Sequence, residues 1–485
     1  MINPLRLARL LPRPLQWLLL RFRVSDIHGA ARWMTRSEKK TKLSLRNDGF
    51  WLSTQHRLSA GDSYRNLEIV APTGGNKTVG FVIPNILKCP GSVVVTDPSG
   101  EIYQNTAGEM QRRGYDIKVF QPADPFFSAQ YDPLHRRKDL TELRELAKAL
   151  CNRVGSKDEA YWATSATTPL YVTFAALSRM PAHELANLGN ARWIINHAGI
   201  DPERTGQWLA SYLQEDHLLR DFEAFFAQDQ RQISQHLGTV QAALEAWSDP
   251  GIAEVTAGDT IDLEGLRERK TALYMIVPEH KVQHYAILMN LIYADCFRVC
   301  YENRKGVPVY FFLDEFANIG RIEGFESTIT QLRKYGCSIT IILQDPAQLE
   351  DVYGPKAART ISNGGIVNHI FLPGLGIETC EKLERMLGRR TVYDTTFGGI
   401  SEYARTLSQP LIAADDIRMF PEDEAILISG RERPARFKTT PFFKDAEMLR
   451  MTQQTAPRIK RHEDHTSMMY LDLCLLYTSP SPRDA

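Results

Sequence analysis

The sequence predicts an α/β fold with a mostly parallel sheet, interrupted by an all-α insertion domain. Strands and helices alternate in two separate stretches, residues 67–120 and residues 271–372. This alternation is typical of parallel sheets, because each parallel connection needs a crossover that is usually a helix. Between the two stretches, from residue 140 to about 248, apolar residues recur at helical spacing and no convincing strand interrupts them. We therefore expect one α/β domain whose chain leaves for an all-α domain and then returns.

In the first stretch, apolar runs and turn residues predict the positions of the strands. Residues 67–70 and 116–120 are short strands, and residues 91–97 are a β-branched run that ends at Asp97. Runs bounded by turn residues in this way are typical of buried strands. A helix is predicted at residues 102–113, between the last two strands.

The middle stretch has the pattern of amphipathic helices. Leu143, Leu146, Ala147 and Leu150 follow the spacing i, i+3, i+4, i+7, which places them on one face of a helix. We expect such apolar faces to form the core of the insertion.

The second stretch resumes the alternation of strands and helices. Strands are predicted at residues 271–277, 307–313, 338–343, 365–372 and 425–429, an edge strand at 434–442, and helices at 284–300 and 326–335. The five predicted segments are an N-terminal basic segment and linker (1–60), the N-terminal half of the α/β domain (61–135), the all-α insertion domain (136–264), the C-terminal half of the α/β domain (265–450) and a tail (451–485).

The composition excludes few classes of protein, but the chain length limits the number of domains. With 485 residues the chain is long enough for two or three domains, and 58 basic against 58 acidic residues leave no net charge. Binding to nucleic acid or to an anionic membrane must therefore be local. The seven cysteines form no CxxC pair, and their odd number and apolar settings predict reduced, buried thiols of a cytoplasmic compartment. Cys296 and Cys300 could share a helix face, but no ligand set for a metal surrounds them.

The two ends of the chain differ from the rest. No run of 18 apolar residues exists, so no complete transmembrane helix is predicted. Residues 14–20 are apolar and are flanked by arginines. Two interpretations remain open: a basic segment that contacts a membrane surface, and a plain exposed helix. Residues 471–485 have no helical or strand period and resemble translated read-through of a sequencing adapter. We expect this tail to be partly non-native and the true C-terminus to be missing.

Residues 71–78, APTGGNKT, match most of the phosphate-loop pattern G-x-x-x-x-G-K-[ST]. The stretch follows a predicted strand and opens an apolar helix, so that backbone N–H groups would converge on phosphate oxygens. Lys77 would reach the β- and γ-phosphates, and the Thr78 hydroxyl would ligate Mg²⁺. The other predicted nucleotide-binding residues are Thr73, Gly74, Gly75 and Asn76.

Two residues depart from the pattern, Ala71 and Asn76. Asn76 matters more, because backbone approaches phosphate closely before the lysine and this favours a residue without a side chain. Asparagine tolerates positive φ best among non-glycine residues, so the loop is expected to close with the carboxamide crowding the phosphates. A turn before a helix, without phosphate binding, is the structural alternative. A further prediction is that Pro84 ends or kinks the following helix early.

Acidic residues follow a second strand. The apolar residues 307–313 run into Asp314 and Glu315, as in a Walker B motif. Asp314 would hold Mg²⁺ through water, and Glu315 would polarise the water that attacks the γ-phosphate. An acid after an apolar strand is common, so the prediction of ATP and Mg²⁺ binding rests on both motifs in this order. The next strand ends at Gln344, which could sense the γ-phosphate, orient water or cap the strand.

Further motifs agree with one family in order and spacing. They are HGAARW at 28–33, FVIPN at 81–85, VVTDPSGE at 94–101, YDPL at 131–134, LDEFANIG at 313–320, LQDPAQL at 343–349, YG at 353–354 and LGRRTV at 387–392. With them the chain resembles the type IV secretion coupling proteins, the VirD4/TraG/TraD group of conjugative ATPases, over roughly residues 26–445.

The resemblance implies a RecA/FtsK-like P-loop domain, interrupted by an all-α domain that recognises cargo, in a homo-hexameric ring on the cytoplasmic face of the bacterial inner membrane. ATP hydrolysis would deliver single-stranded DNA with its relaxase or relaxosome, or effector proteins, to the secretion channel. Arg333 matches the arginine finger, with a surface helix residue as the alternative, and Gln344 matches the sensor. Family members usually carry N-terminal transmembrane helices, and none precedes His28, so a truncated chain or a soluble variant is expected.

Three hypotheses follow. The first is a coupling ATPase, and the second is a hydrolysis-impaired nucleotide-binding cargo receptor, because of Asn76. A chromosome-partition motor or another secretion ATPase fits the fold but not the position of the insertion. DNA passage requires local basic residues, and the candidate clusters are Arg112-Arg113, Arg136-Arg137-Lys138 and Arg389-Arg390. A solvated surface is the alternative for each cluster.

Overall fold

The computed structural model describes residues 28–152, 160–213, 215–393 and 406–472. Its strands are β1 (Trp51–Ser53), β2 (His56–Arg57), β3 (Leu67–Val70), β4 (Ser92–Asp97), β5 (Asp116–Phe120), β6 (Thr271–Ile276), β7 (Val309–Leu313), β8 (Cys337–Leu343), β9 (Asn368–Phe371), β10 (Arg389–Tyr393), β11 (Thr406–Pro410), β12 (Glu424–Ser429) and β13 (Ala435–Lys438). Nine strands form one sheet in the order β13-β12-β9-β3-β8-β7-β4-β6-β5. Pairs from β9 to β5 are parallel, and β12 and β13 join antiparallel at the β9 edge, which confirms the mostly parallel sheet.

The helices alternate with these strands. They are α1 (Arg36–Lys42), α2 (Ala60–Ser63), α3 (Ile83–Leu87), α4 (Glu101–Arg112), α5 (Leu140–Asn152), α6 (Ala160–Leu177), α7 (Leu188–Ala198), α8 (Pro202–Ala210), α9 (Asp216–Phe226), α10 (Gln230–Ala243), α11 (Pro250–Val255), α12 (Gly265–Glu268), α13 (Val282–Glu302), α14 (Phe325–Gln331), α15 (Ala347–Arg359, broken at Gly354), α16 (Ile377–Leu387), α17 (Ala414–Arg418) and α18 (Ala446–Thr452). The helices predicted at 102–113, 284–300 and 326–335 correspond to α4, α13 and α14. A 3₁₀ turn at Leu332–Tyr335 continues α14.

Helices fill the connection from β5 to β6. The described residues between these strands contain helices and turns but no strand. Leu143, Leu146 and Leu150 are buried on one face of α5, as their spacing predicts. Their cluster is continuous with one face of the sheet, while a second cluster, which includes Phe81 and Phe312, covers the other face. The predicted helical insertion therefore shares a core with the sheet.

The described residues of the predicted linker are folded. They form α1, the hairpin of β1 and β2, and α2, with Phe50, Trp51 and Leu52 buried against the sheet. The buried Asn85 side chain accepts a hydrogen bond from Trp51 N at 2.7 Å and donates one to Trp51 O at 2.9 Å. Strands of two or three residues are too short for alternation to be recognised in a sequence, which explains the difference. Residues 1–27, with the apolar stretch at 14–20, lie outside the described residues.

Two of the family motifs meet in space. Ala31 N donates to Arg389 O at 3.0 Å, and Thr391 N donates to Gly29 O at 3.0 Å. The motif at 28–33 therefore extends the β10–β11 hairpin that carries the motif at 387–392. Gly29 has φ 127°, and a Cβ there would lie 2.2 Å from Arg389 O, so only glycine fits at this position.

Residues 453–472, here called the C-terminal strap, cross from α4 to the helical insertion. The hydroxyl of Tyr103 donates to Pro457 O at 2.6 Å, and the Gln130 side chain pairs with both backbone groups of Thr466 at 2.7 Å. Leu471 N donates to the Asn190 side chain at 3.0 Å. Sequence patterns predict no structure here, because a strap has neither a helical nor a strand period. Most of the segment that resembles read-through, residues 473–485, lies outside the described residues.

Gly108 of α4 allows the strap to approach the helix. A Cβ at this position would lie 2.4 Å from Gln454 O and 2.6 Å from Thr455 O, both backbone atoms. We expect Gly108→Ala to displace the strap and to expose its arginine and lysine residues to trypsin at least several-fold faster than in the wild type. Limited proteolysis with mass spectrometry measures this. Gly238→Ala in α10 is the matched control, since a Cβ there meets nothing within 4 Å. Equal cleavage of both variants would contradict the prediction.

Candidate nucleotide-binding site

The loop at residues 71–78 lies between β3 and a helical turn, in the middle of the sheet. Ala71 N donates to Leu343 O at 3.0 Å, which ties the start of the loop to the end of β8. A hydrogen bond from Gly75 N to Pro72 O at 3.0 Å closes the turn, and a Cβ on Gly75 would lie 2.9 Å from that oxygen. The loop is therefore a compact turn of backbone at the carboxyl edge of parallel strands, where such sheets bind ligands.

The helix after the loop starts irregularly and ends early. Residues Thr78–Val82 form a π-helical turn, and α3 then ends at Leu87. Pro84 is the second residue of α3, where its missing N–H costs little. The helix is irregular before Pro84 and continues for three residues beyond it, so Pro84 does not itself end the helix.

Asn76 adopts the conformation that the loop requires. Its φ is 59°, in the left-handed region, as expected from asparagine's tolerance of positive φ. Gly80 N donates to Asn76 O at 2.7 Å, so the residue also begins the helical hydrogen bonding. The side chain is exposed, and its carboxamide has no hydrogen-bond partner among the described residues. The loop closes with asparagine in this position.

Lys77 is directed at two carboxylates. Its side chain is only 11% exposed, its ammonium group forms an ion pair with Glu315, and it lies 3.8 Å from Asp314 Oδ1. The Thr78 hydroxyl donates to Asp314 Oδ2 at 3.3 Å. Burial raises the pKa of Asp314, and the nearby Lys77 counteracts this effect. The residues predicted from two distant motifs therefore lie in contact.

Glu315 is held from two sides in an uncommon backbone conformation. Its φ of 50° and ψ of 46° lie in the left-handed region, which costs a non-glycine residue roughly 1–3 kcal/mol and is typical of functional sites. Lys77 contacts one carboxylate oxygen, and Gln344 Nε2 donates to the other at 3.0 Å. Gln344 N in turn donates to the Gln348 side chain at 2.9 Å. Lys77, Glu315, Gln344 and Gln348 therefore form a chain of contacts along the carboxyl edge of the sheet.

Arg333 lies away from this group. It is exposed in the 3₁₀ turn before β8, while Gln344 follows the carboxyl end of the same strand. The seven residues of β8 separate the two by about 20 Å at the usual rise of a strand. Arg333 has no ion pair among the described residues. The structure therefore does not bring Arg333 to the nucleotide site of its own chain.

The oxygen atoms of Thr78 and Asp314 suit Mg²⁺. A hydroxyl and a carboxylate are hard ligands, and Mg²⁺ is usually held by one or two such groups together with substrate phosphates and water. In the ranges that the structure describes, no three His, Cys, Asp or Glu side chains are grouped as a metal site. The six described cysteines are buried and free, as predicted, and Cys474 lies outside the described residues.

Asp97 is a buried acid to which the sequence assigned no role. It is the last residue of β4, which pairs with β7, the strand that Asp314 follows. Its side chain is fully buried. Its Oδ2 accepts a hydrogen bond from Tyr103 N at 2.7 Å, while Oδ1 has no partner within the described portion of the chain. Burial raises the pKa of Asp97 to about 6. Its position at the carboxyl end of a predicted strand was the available signal.

Most residues of the predicted basic clusters form ion pairs with acidic side chains or donate hydrogen bonds to backbone carbonyl oxygens. Their partners are Glu109 for Arg112, the Leu87 and Cys89 carbonyls for Arg113, Asp259 and Glu264 for Arg136, Asp295 for Arg137, and Glu302 for Lys138. Arg136 and Arg137 are buried, not solvated, because the acids of the insertion and of α13 neutralise them. The side chains of Arg389 and Arg390 are exposed and donate to Ser408 and Gln409, and no acid pairs with either of them among the described residues.

A mostly parallel sheet, a phosphate-loop turn and two carboxylates that meet at one edge define a P-loop protein of the RecA-like class, with a helical insertion. The family model described as Type IV secretory system Conjugative DNA transfer matches residues 24–467. The chain belongs to this family, and the predicted resemblance is confirmed.

Relatives and solved structures agree with this assignment. The protein VirD4 of Agrobacterium fabrum is 23% identical over 470 residues, which cover 90% of this chain and 69% of VirD4. The conjugal transfer protein TraG of Escherichia coli is 25% identical over 397 residues, which cover 72% of this chain and 61% of TraG.

A structure of the bacterial conjugative coupling protein TrwBdeltaN70 with sulphate has a TM-score of 0.67 at 16% identity and covers 90% of this chain and 96% of that chain. TrwB with ADP and Mg²⁺ has a TM-score of 0.61 at 17% identity, over 85% and 94% of the two chains. These similarities confirm the predicted fold. Among the described residues, no helix has the length and apolar content needed to cross a membrane.

Proposed function

We propose that this chain is the coupling ATPase of a type IV secretion or conjugation system. It would use ATP hydrolysis to deliver single-stranded DNA with its relaxase, or effector proteins, to the secretion channel, as a homo-hexamer at the cytoplasmic face of the inner membrane. The observation that carries the proposal is the contact of Lys77 with both Asp314 and Glu315. The solved structures of TrwB with ADPNP and with ADP and Mg²⁺ support nucleotide binding in this fold.

Each residue of the site has a role in this proposal. The loop backbone from Thr73 to Lys77 binds phosphate oxygens, and Lys77 neutralises the β- and γ-phosphates. Thr78 and Asp314 hold Mg²⁺, which supplies charge neutralisation for the transferring phosphoryl group.

Glu315 acts as the general base for the attacking water. Its carboxylate pairs with Lys77 when no phosphate is present, so that Lys77 must turn from the acid to bind a phosphate. This exchange releases Glu315 for the water proton. Gln344 keeps one carboxylate oxygen in place through its 3.0 Å hydrogen bond and is well placed to orient the same water.

Arg333 contributes to the site of a neighbouring subunit. The residue is exposed, has no ion pair among the described residues, and lies at the opposite end of β8 from its own nucleotide site. These properties fit an arginine finger that acts across a subunit interface. The hexamer is then required for turnover and not for nucleotide binding.

Asn76 supports the second candidate, a nucleotide-binding cargo receptor with impaired hydrolysis. Its carboxamide, which has no hydrogen-bond partner among the residues that the structure describes, lies in the loop that must approach phosphate closely. Lys77, Thr78, Asp314, Glu315 and Gln344 keep the residue types and contacts of a working site, which favours the ATPase.

ATPase rates of the wild type and of Asn76→Gly, with and without single-stranded DNA, separate the two functions. We expect DNA-stimulated turnover in the wild type and a rate within about tenfold of it in Asn76→Gly, since relief of left-handed strain changes the free energy by on the order of 1 kcal/mol. Absence of turnover in the wild type, restored by glycine, would overturn the ATPase in favour of the receptor. Equal, substantial rates would exclude the receptor.

Asn76→Ala is the matched control for this comparison. Alanine removes the carboxamide but is less tolerant of the φ of 59° than asparagine or glycine. If the carboxamide crowds the phosphates, both variants hydrolyse ATP faster than the wild type. If only backbone conformation matters, Asn76→Ala is slower and Asn76→Gly is not.

A further inference from the structure

Two phenylalanine rings are exposed at the end of the edge strand β5. Phe126 and Phe127 belong to the 3₁₀ turn Pro125–Phe127, and each is 43% exposed. Phe126 packs against the ring of His465 in the C-terminal strap, with the ring centroids 5.3 Å apart. The turn therefore presents aromatic rings to solvent beside the strap.

The strap carries cations next to these rings. Arg458, Lys460 and Arg461 are exposed, and no carboxylate lies within ion-pair distance of them in the portion of the chain that the structure describes. The Arg461 guanidinium lies 5.3 Å from the centroid of the Phe126 ring. Acids neutralise Arg112, Arg136 and Arg137 elsewhere, so the cations of the strap are available in a way that those arginines are not.

A cleft of about 350 Å³ separates the strap from β5. Its lining includes Lys118, Phe127, Arg458, Lys460 and His462. The acid in the lining, Asp116, is engaged by Arg269 at 3.0 Å and by Lys118 at 3.6 Å. Phe126 and Arg461 lie outside the lining of the cleft, as do the neighbouring exposed acids Asp124, Glu463 and Asp464. The cleft is therefore positively charged and has an aromatic wall.

We propose that Phe126, Phe127 and the strap cations Arg458, Lys460 and Arg461 form a contact site for single-stranded nucleic acid. Exposed rings stack on unpaired bases, and neighbouring cations follow the phosphate backbone, which is the arrangement of sequence-tolerant single-strand binding. A duplex hides its bases from such rings. An acidic peptide would use the cations without the rings. The site extends the proposed function by locating one DNA contact, but it does not depend on ATP hydrolysis.

Fluorescence anisotropy of a labelled oligothymidylate with the full chain, without nucleotide, tests the site. We expect Phe126→Ala/Phe127→Ala to weaken binding on the order of tenfold or more, since each ring can stack on one unpaired base. We expect Arg458→Gln/Lys460→Gln/Arg461→Gln to lower the slope of log K against log salt concentration by about two, at roughly 0.7 per phosphate contact. Lys356→Gln/Arg359→Gln and Phe443→Ala, at two other exposed cations and another exposed ring, are the matched controls, and Arg389→Gln/Arg390→Gln measures the contribution of the exposed basic pair predicted from the sequence.

Several outcomes would overturn this site. One is unchanged oligonucleotide affinity in the Phe126→Ala/Phe127→Ala variant, and another is a larger loss of affinity in Arg389→Gln/Arg390→Gln than in the strap variant. The other two are equal affinity for a duplex of the same length and equal competition by a poly-glutamate peptide. Circular dichroism and binding of a fluorescent ATP analogue verify that each variant is folded. Failure of the wild type to bind that analogue would overturn the proposed ATPase and leave the oligonucleotide result standing, so the two failures are distinguishable.

Discussion

Replacing Glu315 by glutamine is expected to lower ATP turnover by about 10²–10⁴-fold, the usual contribution of a general base, while nucleotide binding is retained or becomes tighter. The amide cannot accept the proton of the attacking water. It also cannot form the ion pair that Lys77 makes with the carboxylate, so the lysine becomes free for phosphate. Steady-state turnover and equilibrium binding of a fluorescent ATP analogue measure the two effects separately.

Glu323→Gln is the matched control for this variant. Glu323 lies eight positions further along the chain, is exposed, and forms no ion pair among the described residues. We expect its turnover to equal that of the wild type. Turnover of Glu315→Gln within a few-fold of the wild type would exclude Glu315 as the base. A loss of nucleotide affinity in Glu315→Gln would contradict the exchange of Lys77 between acid and phosphate.

The second large effect is expected at Asp295, which joins α13 to the start of the helical insertion. Its carboxylate accepts hydrogen bonds from Arg137 Nη1 at 2.6 Å and Nη2 at 3.1 Å, and from the Tyr131 hydroxyl at 2.6 Å. Both charged side chains are less than a tenth exposed. Burial, and then the neighbouring Asp295 carboxylate, raise the pKa of Tyr131 well above its usual value, so the hydroxyl stays protonated and donates.

We expect Asp295→Ala to reduce the free energy of unfolding by about 3–5 kcal/mol, because the Arg137 charge is then buried without a partner. Urea unfolding at pH 7, followed by circular dichroism, measures this. Lys138→Ala removes an exposed ion pair to Glu302 and is expected to cost less than about 1 kcal/mol. The double variant Arg137→Leu/Asp295→Leu should recover much of the loss, since it leaves no buried charge. Equal midpoints for Asp295→Ala and Lys138→Ala would contradict the prediction.

The sequence carried enough information for the sheet and for most of the site. Asp314 and Gln344 follow short apolar runs that are typical of buried strands, and parallel strands bring their carboxyl ends to one edge. The contact of Lys77 with the acids then follows from the loop after β3, although 237 positions separate Lys77 from Asp314 in the chain. Asn76 could be assigned a positive φ because few other residues accept that conformation.

Other features could not be read from local patterns. For Arg136 and Arg137 the sequence suggests a DNA-binding cluster or a solvated surface, and both are wrong because acids more than 100 positions away pair with these residues in the interior. Arg267 is fully buried and donates hydrogen bonds to the carbonyl oxygens of Asn303 and Tyr335. No sequence motif predicts this burial. The strap has no period at all, and its contacts are with side chains from distant helices. These interactions are specified by tertiary structure and not by spacing.

The C-terminal strap has a mechanical consequence. It is bonded at one end to Tyr103 of α4, beside the sheet, and at the other to Asn190 of the helical insertion. Between these ends it bonds to Gln130 and to Glu254 of α11. A rotation of the insertion away from the sheet must stretch or break these bonds in sequence. The strap therefore connects the helical insertion to the edge of the sheet by a route that does not include the nucleotide-binding loop.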